Sequence, residues 1–244
     1  MKSIRHRISA MVRERIFRYY GIPFSRHWVD LCVVRFLQTS GPINVVDIGA
    51  SEGRVTAALD AHYGVRRGLL VEPQPARCEQ LRRRFPDPRY SIHECALSDR
   101  QGTCLMDLLN WDFSSSILPV RRDLQTVNAV LDLNVREKIE CQVTTLDTIM
   151  REHWQNETVD LLKIDVQGAE LMALRGGEQT LKRVRFLLTE VSFIPLYEGS
   201  CAFHELHSFL RDRGFRLLAF QEGFRGQDGE LLQCDALFRS SDHR

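Results

Sequence analysis

Hydrophobic positions along the chain form short runs separated by polar, glycine- and proline-bearing stretches, and the runs alternate between two periods. Ile43-Asn44-Val45-Val46-Asp47-Ile48-Gly49 follows Pro42, is rich in β-branched residues and ends at glycine, the pattern of a buried strand. Gly53 to His62 puts Val55, Ala58 and Leu59 on one side, as a helix does. Gly68 to Glu72 is a second buried strand, and Pro75 to Phe85 a helix with a solvated basic face at Arg82, Arg83 and Arg84. Tyr90 to Leu97 is a third strand. The stretch from Asp99 to Gln142 is less regular. It has a hairpin arm around Thr103–Leu108, a loop-like patch from Trp111 to Ser116, and no deciding period in Leu118–Val135.

Regular alternation returns with Val159 to Asp165, a fourth buried strand. Ala169–Leu181 is a helix broken or bent near Gly176-Gly177, Val184 to Val191 a fifth strand, and Phe203 to Arg213 a helix closed by Gly214. Phe215–Phe220 and Leu231–Phe238 are two closing strands with only a polar, glycine-bearing connection between them. Strands alternating with helices predict a parallel sheet with helices on both faces, in an α/β, Rossmann-like fold. The last two strands lack a crossover helix and are expected to pair as an antiparallel hairpin. The mostly parallel sheet then has seven strands, carried by one domain over residues 42–240.

Residues 1–41 have a different character. Lys2, Arg5, Arg7, Arg13, Arg15 and Arg18 face a single acid, Glu14, while Ile4, Ile8, Met11 and Ile16 recur at helical spacing. This predicts a basic amphipathic helical extension. Such a helix suits peripheral contact with an anionic membrane surface, or an acidic substrate, but more often packs against its own domain or a partner subunit.

Composition narrows the function classes. With 43% hydrophobic and 27% charged residues and a net charge of +1, the chain has the balance of a globular protein with a core and no global bias toward nucleic acid. No apolar run reaches the length of a membrane span. Its 7 cysteines are odd in number and contain no CxxC, and no signal-peptide apolar core opens the chain, so reduced thiols and a cytoplasmic location are expected. Oligomeric state is not legible.

In an open parallel sheet, ligands bind beyond the carboxyl ends of the strands. The first such end reads Asp47-Ile48-Gly49-Ala50-Ser51-Glu52-Gly53, where glycines let the backbone turn tightly and approach a ligand. Glu72 ends the second strand 23 residues after Gly49, near the offset at which an acid holds a ribose hydroxyl pair. Turn and acid together indicate an adenosine cofactor. The spacing is G-x-x-x-G rather than G-x-G-x-x-G, and an acid at Asp47 pointing into the site would repel a pyrophosphate and suit an amino-acid ammonium. That favours S-adenosylmethionine over a nicotinamide dinucleotide.

The fourth strand ends Leu162-Lys163-Ile164-Asp165-Val166-Gln167-Gly168-Ala169-Glu170. Lys163 and Asp165 are two apart and share a face, Asp165 lies where a methyl acceptor would sit, and Glu170 falls in the first turn of the next helix. A charged pair in an apolar strand is either a structural ion pair or catalytic machinery. Asp165 is the first candidate for a general base, with Lys163 orienting it, and Glu190 at the end of the fifth strand is the second. Ser114, Ser115, Ser116 and Tyr197 are expected on the rim, able to hydrogen-bond an acceptor. His204 and His207 lie one helical turn apart, but their surroundings read as an ordinary amphipathic helix, and no metal is expected.

Taken in order, VVDIGASEGRVT, LLVEPQP, CALSD, TTLDTI, LLKIDVQGAELMALRGG and LLTEVSFIPLYEG resemble the motifs of the FkbM-type methyltransferases, from about Asn44 to Phe220. The resemblance implies a class I methyltransferase fold with S-adenosylmethionine as donor. It places Asp47, Gly49 and Gly53, with Ala50 and Ser51, around the methionine part, and Asp165 near it. Glu72, with Pro73 beside it, would hold the ribose, and Ala96 and Leu97 would flank the adenine. Gln167 stands where Glu is usual, and Ser51 where many class I enzymes have glycine. The implied activity is O-methylation of a hydroxyl on a small molecule, natural product or glycan. The competing readings are a non-catalytic scaffold, which would have lost the cofactor carboxylates, and an NAD(P)-dependent oxidoreductase, against which Asp47 and the closing hairpin argue. Nucleic-acid methylation ranks low without a recognition domain.

Overall fold

The computed structural model describes Val33 and residues 35–110, 115–121, 134–221, 223–226 and 229–242. The chain divides into two compact units, Met1–Gln38 and Thr39–Arg244. The expected N-terminal amphipathic helix lies outside the described residues, as do Trp111–Ser114 and most of Leu118–Val135.

In chain order the second unit contains β1 (Ile43–Ile48), α1 (Arg54–Tyr63), β2 (Val65–Val71), α2 (Pro75–Arg84), β3 (Tyr90–His93), β4 (Ala96–Leu97), β5 (Gly102–Leu109) and β6 (Val135–Thr144). It continues through α3 (Leu146–His153), β7 (Val159–Ile164), α4 (Glu170–Arg175), α5 (Glu178–Leu181), β8 (Val184–Ser192), α6 (Phe203–Arg211), β9 (Phe215–Gln221) and β10 (Gln233–Ser240). The main sheet has 7 strands in the order β3-β2-β1-β7-β8-β10-β9. The first five positions are mutually parallel, and β10 runs antiparallel to both β8 and β9, as the missing crossover helix requires. From β1 the chain winds outward to β3, then returns to place β7 on the other side of β1. The crevice between β1 and β7 is therefore the topological switch point.

The structure departs from the sequence expectation in two places. Tyr90–Leu97 is two strands rather than one: β3 pairs with β2 as far as His93, and Ala96–Leu97 pair with β6 in a separate sheet of order β4-β6-β5. Helix α3 was not anticipated. Thr145 caps it by accepting the Thr148 N–H at 3.1 Å, and Asp147 in its first turn accepts the N–H groups of Gln179 and Thr180, tying α3 to α5. The helix over Ala169–Leu181 is broken at Gly176-Gly177 as expected; a Cβ at Gly176 would lie 2.1 Å from the Ser98 carbonyl oxygen.

The pleat decides what reaches the site. Val46, Ile48, Leu162, Ile164, Leu187, Val191, Ala236 and Phe238 point to one face and pack with Leu146, Met150, Trp154, Leu174, Leu206 and Leu210. Each such side chain contributes roughly 1.5–3 kcal/mol on burial. The intervening positions Asp47, Lys163, Asp165, Glu190, Ser192, Gln233 and Asp235 fall on the opposite face by simple alternation. Six of the cysteines are described, and all six are free thiols. No helix among the described residues is long and apolar enough to cross a membrane.

Thr145→Ala should lower stability by about 1 kcal/mol through loss of the α3 cap, read as a shifted midpoint at unchanged slope in urea unfolding.

Candidate active site

Beyond the ends of β1, β2 and β7 lies a cavity that is partly open to solvent. Its floor is the turn after β1. Gly49 has φ of 69°, and a Cβ there would lie 1.8 Å from the Asp165 carbonyl oxygen, so glycine is required for the two strand ends to approach. Ser51 follows with φ of 50° and donates its N–H to Glu72 Oε2 at 2.9 Å. The Gln74 N–H donates to Glu72 Oε1 at 3.0 Å. Glu72 is thus a buried carboxylate held open toward the cavity by two backbone donors. Burial pushes its carboxyl up against the pull of those N–H groups. Cys95, Ala96, Leu97, Met106 and Ile117 add apolar lining, and Asp165, Gln167 and Ser116 polar lining.

Of the residues expected around a cofactor, Gly49, Ser51, Glu72, Pro73, Ala96, Leu97 and Asp165 line this cavity. Asp47 does not. It is fully buried, accepts the Thr56 hydroxyl at 2.7 Å on Oδ2, and faces Lys163 Nζ at 3.3 Å with Oδ1. The expectation that Asp47 points into the site is corrected for that reason: its charge is consumed by a lysine on the adjacent strand. Gly53 also stands back from the cavity, starting α1 with φ of 69° against the ring of Phe85. Ala50 packs behind the turn, its N–H on the Val71 carbonyl.

Lys163 and Asp165 do share a face, with Nζ 3.5 Å from Asp165 Oδ2. Lys163 also donates to the carbonyl oxygens of Gly49 at 2.7 Å and Ile48 at 3.3 Å. Burial alone would lower its pKa, but Asp47 and Asp165 outweigh burial and raise it, so the ammonium persists.

Gln167 links several of the polar groups at the cavity. Its Nε2 donates to Asp165 Oδ1 at 2.7 Å and to Glu190 Oε2 at 3.2 Å, and its Oε1 accepts the Tyr197 hydroxyl at 3.0 Å. The Ser116 hydroxyl donates to the Gln167 main-chain oxygen at 2.6 Å. Tyr197 and Ser116, expected on the rim, are both buried, because each turns inward to Gln167. Ser115 lines the cavity and accepts the Leu109 N–H at 3.3 Å, while Ser114 lies outside the described residues. Gln233 and Asp235, unremarked in the sequence, complete the group. Gln233 Nε2 donates to Glu190 Oε2 at 3.2 Å, and Asp235 is the register partner of Glu190. Their signal was two polar residues alternating with Cys234 and Ala236 on one face of a closing strand.

Four acids crowd this region, and burial raises three of them. Burial, then the charge of Asp165, brings Asp235 to about 7. Burial brings Glu170 to about 7 although its Oε1 accepts the N–H groups of Val166 and Gly168, each at 3.1 Å. Burial, reinforced by Asp165, Glu170 and Asp235, pushes Glu190 well above the usual carboxylate range.

Comparison with known proteins decides the family. Residues 47–217, well over half of the chain, match the model of the Methyltransferase FkbM domain. The chain belongs to the FkbM methyltransferase family. The 2-O-methyltransferase NoeI of Sinorhizobium fredii (strain NBRC 101917 / NGR234) is 29% identical over 218 residues, covering 86% of each chain. The methyltransferase sdnD of Sordaria araneosa is 26% identical over 224 residues, covering 83% of this chain and 82% of its own. The crystal structure of a methyltransferase FkbM from Methylobacillus flagellatus KT superposes with a TM-score of 0.58 at 17% identity, over 91% of this chain. This chain spans 50% of that one's length. The fold is that of the class I methyltransferases, with the mostly parallel sheet and closing hairpin described above.

The raised carboxyls of this FkbM-family protein give its stability a pH dependence of known sign. A folded-state pKa above the unfolded one means stability is present at low pH and lost as pH rises through about 7 for Glu170 and Asp235. His93, pushed down to about 4 by burial and then by His153, opposes this below its ordinary value of 6.5, but is outnumbered. Lowering the pH from about 8 to about 6.5 should raise Tm by several degrees, at roughly 1 kcal/mol for each raised carboxyl. Glu170→Gln should show a smaller rise in the same calorimetric scans.

Proposed function

We propose that this FkbM-family protein is an S-adenosylmethionine-dependent O-methyltransferase acting on a hydroxyl of a small molecule, natural product or glycan. One observation carries the reading. At the switch point, a single cavity with apolar lining joins a buried, backbone-held carboxylate to a second carboxylate, Asp165, that is braced by a buried ammonium.

The donor set fits the cofactor. Glu72 keeps acceptor capacity for a ribose hydroxyl pair, and Ala96 and Leu97, with Met106 and Ile117, offer adenine a flat apolar slot. With Asp47 neutralised by Lys163, Asp165 is the second acid that lines the cavity. When bound, S-adenosylmethionine supplies the electrophilic methyl group, which passes from sulfur to the acceptor oxygen.

The residues of this chain have two tasks, alignment and proton removal. Asp165 accepts the proton that the acceptor hydroxyl gives up as its new O–CH₃ bond forms, leaving neutral S-adenosylhomocysteine. Lys163 at 3.5 Å and Gln167 at 2.7 Å hold the Asp165 carboxylate in place. Glu190, behind Gln167, stands in the second rank rather than against the cavity. The hydroxyl acceptor is supported by the name of NoeI, a 2-O-methyltransferase. A net charge of +1 speaks against nucleic acid as the acceptor.

Calorimetric titration with S-adenosylhomocysteine should give micromolar binding to the wild-type protein and none to Glu72→Ala at equal foldedness by circular dichroism. No binding to folded wild type at millimolar ligand would remove the methyltransferase reading. Asp165→Ala should keep affinity for S-adenosylhomocysteine within a few-fold. It should lower radiolabelled methyl transfer to a panel of hydroxylated acceptors by about 10²–10⁴-fold, and unchanged transfer would take Asp165 out of the mechanism.

A further inference from the structure

Gln167 occupies a conformation that few non-glycine residues adopt. Its φ of 54° lies in the left-handed region, a strain that persists only where the surroundings over-determine it. Here they do. Its partners come from four places in the chain: Asp165 after β7, Glu190 in β8, Tyr197 in the loop after β8, and Ser116 in the segment after β5. The orientation of the amide is forced as well. A carboxylate only accepts, so the NH₂ must face the two acids and the carbonyl the phenol.

Resting on the methyltransferase reading above, we infer that Gln167 is the positioning residue of the acceptor site: its neutral amide separates Asp165 from Glu190 and directs the Asp165 anion toward the cavity. Two carboxyls in direct contact share a proton, whereas an NH₂ group between them offers each a donor. The arrangement is unequal. Asp165 takes the shorter bond at 2.7 Å and has Lys163 at its other oxygen, while Glu190 Oε2 divides its acceptance between Gln167 and Gln233, each at 3.2 Å. Both Asp165 oxygens thus have a donor, while burial pushes Glu190 well above the usual carboxylate range. The titratable and charged groups around Asp165 are Lys163 on its own strand, Asp47 on β1, Glu170 on α4, Glu190 on β8 and Asp235 on β10. Gln167 is the neutral member among them.

The test needs no acceptor. Sinefungin is the S-adenosylmethionine analogue in which a carbon bearing a protonated amine replaces the methylated sulfur, so its affinity relative to S-adenosylhomocysteine reads the negative charge at the acceptor end. Both affinities are measured by calorimetry from about pH 5.5 to 9. Gln167→Met keeps the shape and removes the amide. It should cut the preference for sinefungin roughly tenfold, ~1.4 kcal/mol, with S-adenosylhomocysteine affinity held within about threefold. Gln167→Glu sets a carboxyl against Asp165, so a shared proton should move the onset of the preference up by about one pH unit. A merely structural role weakens both ligands in parallel, leaving ratio and pH profile as in wild type, and that result overturns the inference alone. Wild type binding neither ligand overturns the methyltransferase reading and this inference with it.

Discussion

A lysine ammonium buried in the middle of a parallel sheet has to be neutralised where it stands, since moving an ion out of water costs several kcal/mol even after relaxation. Lys163 meets that demand with two carboxylates and two carbonyl oxygens, drawn from both sides of the switch point. The consequences spread outward from it. Asp47 is committed to the lysine and, through Thr56, to α1. The carbonyl of Gly49 is committed too, which draws the first strand end against the backbone of Asp165 and leaves no space for a Cβ. Of the lysine's two carboxylates, Asp165 is the one that lines the cavity.

The group around Gln167 is built on the same logic with neutral donors. Amides at Gln167 and Gln233 stand among the acids at Asp165, Glu190 and Asp235, so that a cluster of like charges is interleaved with hydrogen bonds. Buried networks of this kind hold a single arrangement when every member is satisfied. Ser116 and Tyr197 serve that arrangement by fixing Gln167 from its main-chain and side-chain ends. Of the residues expected to contact an acceptor, Ser116 and Tyr197 are both hydrogen-bonded to Gln167.

Much of the architecture was legible from local pattern. The seven strands of the main sheet, their mostly parallel order and the closing hairpin follow from β-branched runs, helical spacing and the lack of a crossover before Leu231. Those signals come from neighbouring residues and survive translation into three dimensions. The strand split at Glu94-Cys95 and the helix α3 did not announce themselves, because each depends on a partner far along the chain: β6 for Ala96–Leu97, and the Gln179 and Thr180 amides for Asp147.

The site divides along the same line. The amino-acid order by itself determined which residues stand at the carboxyl ends of the strands, and so named Gly49, Ser51, Glu72, Ala96, Leu97 and Asp165, all of which line the cavity. The tertiary structure alone decided what each charged group faces. Asp47 and Asp165 carry the same carboxylate, yet one is wholly buried against Lys163 and the other opens to the cavity. Strand order sets that difference, for it brings β7 against β1, and a carboxylate's role depends on the charges and water around it rather than on its place in the chain.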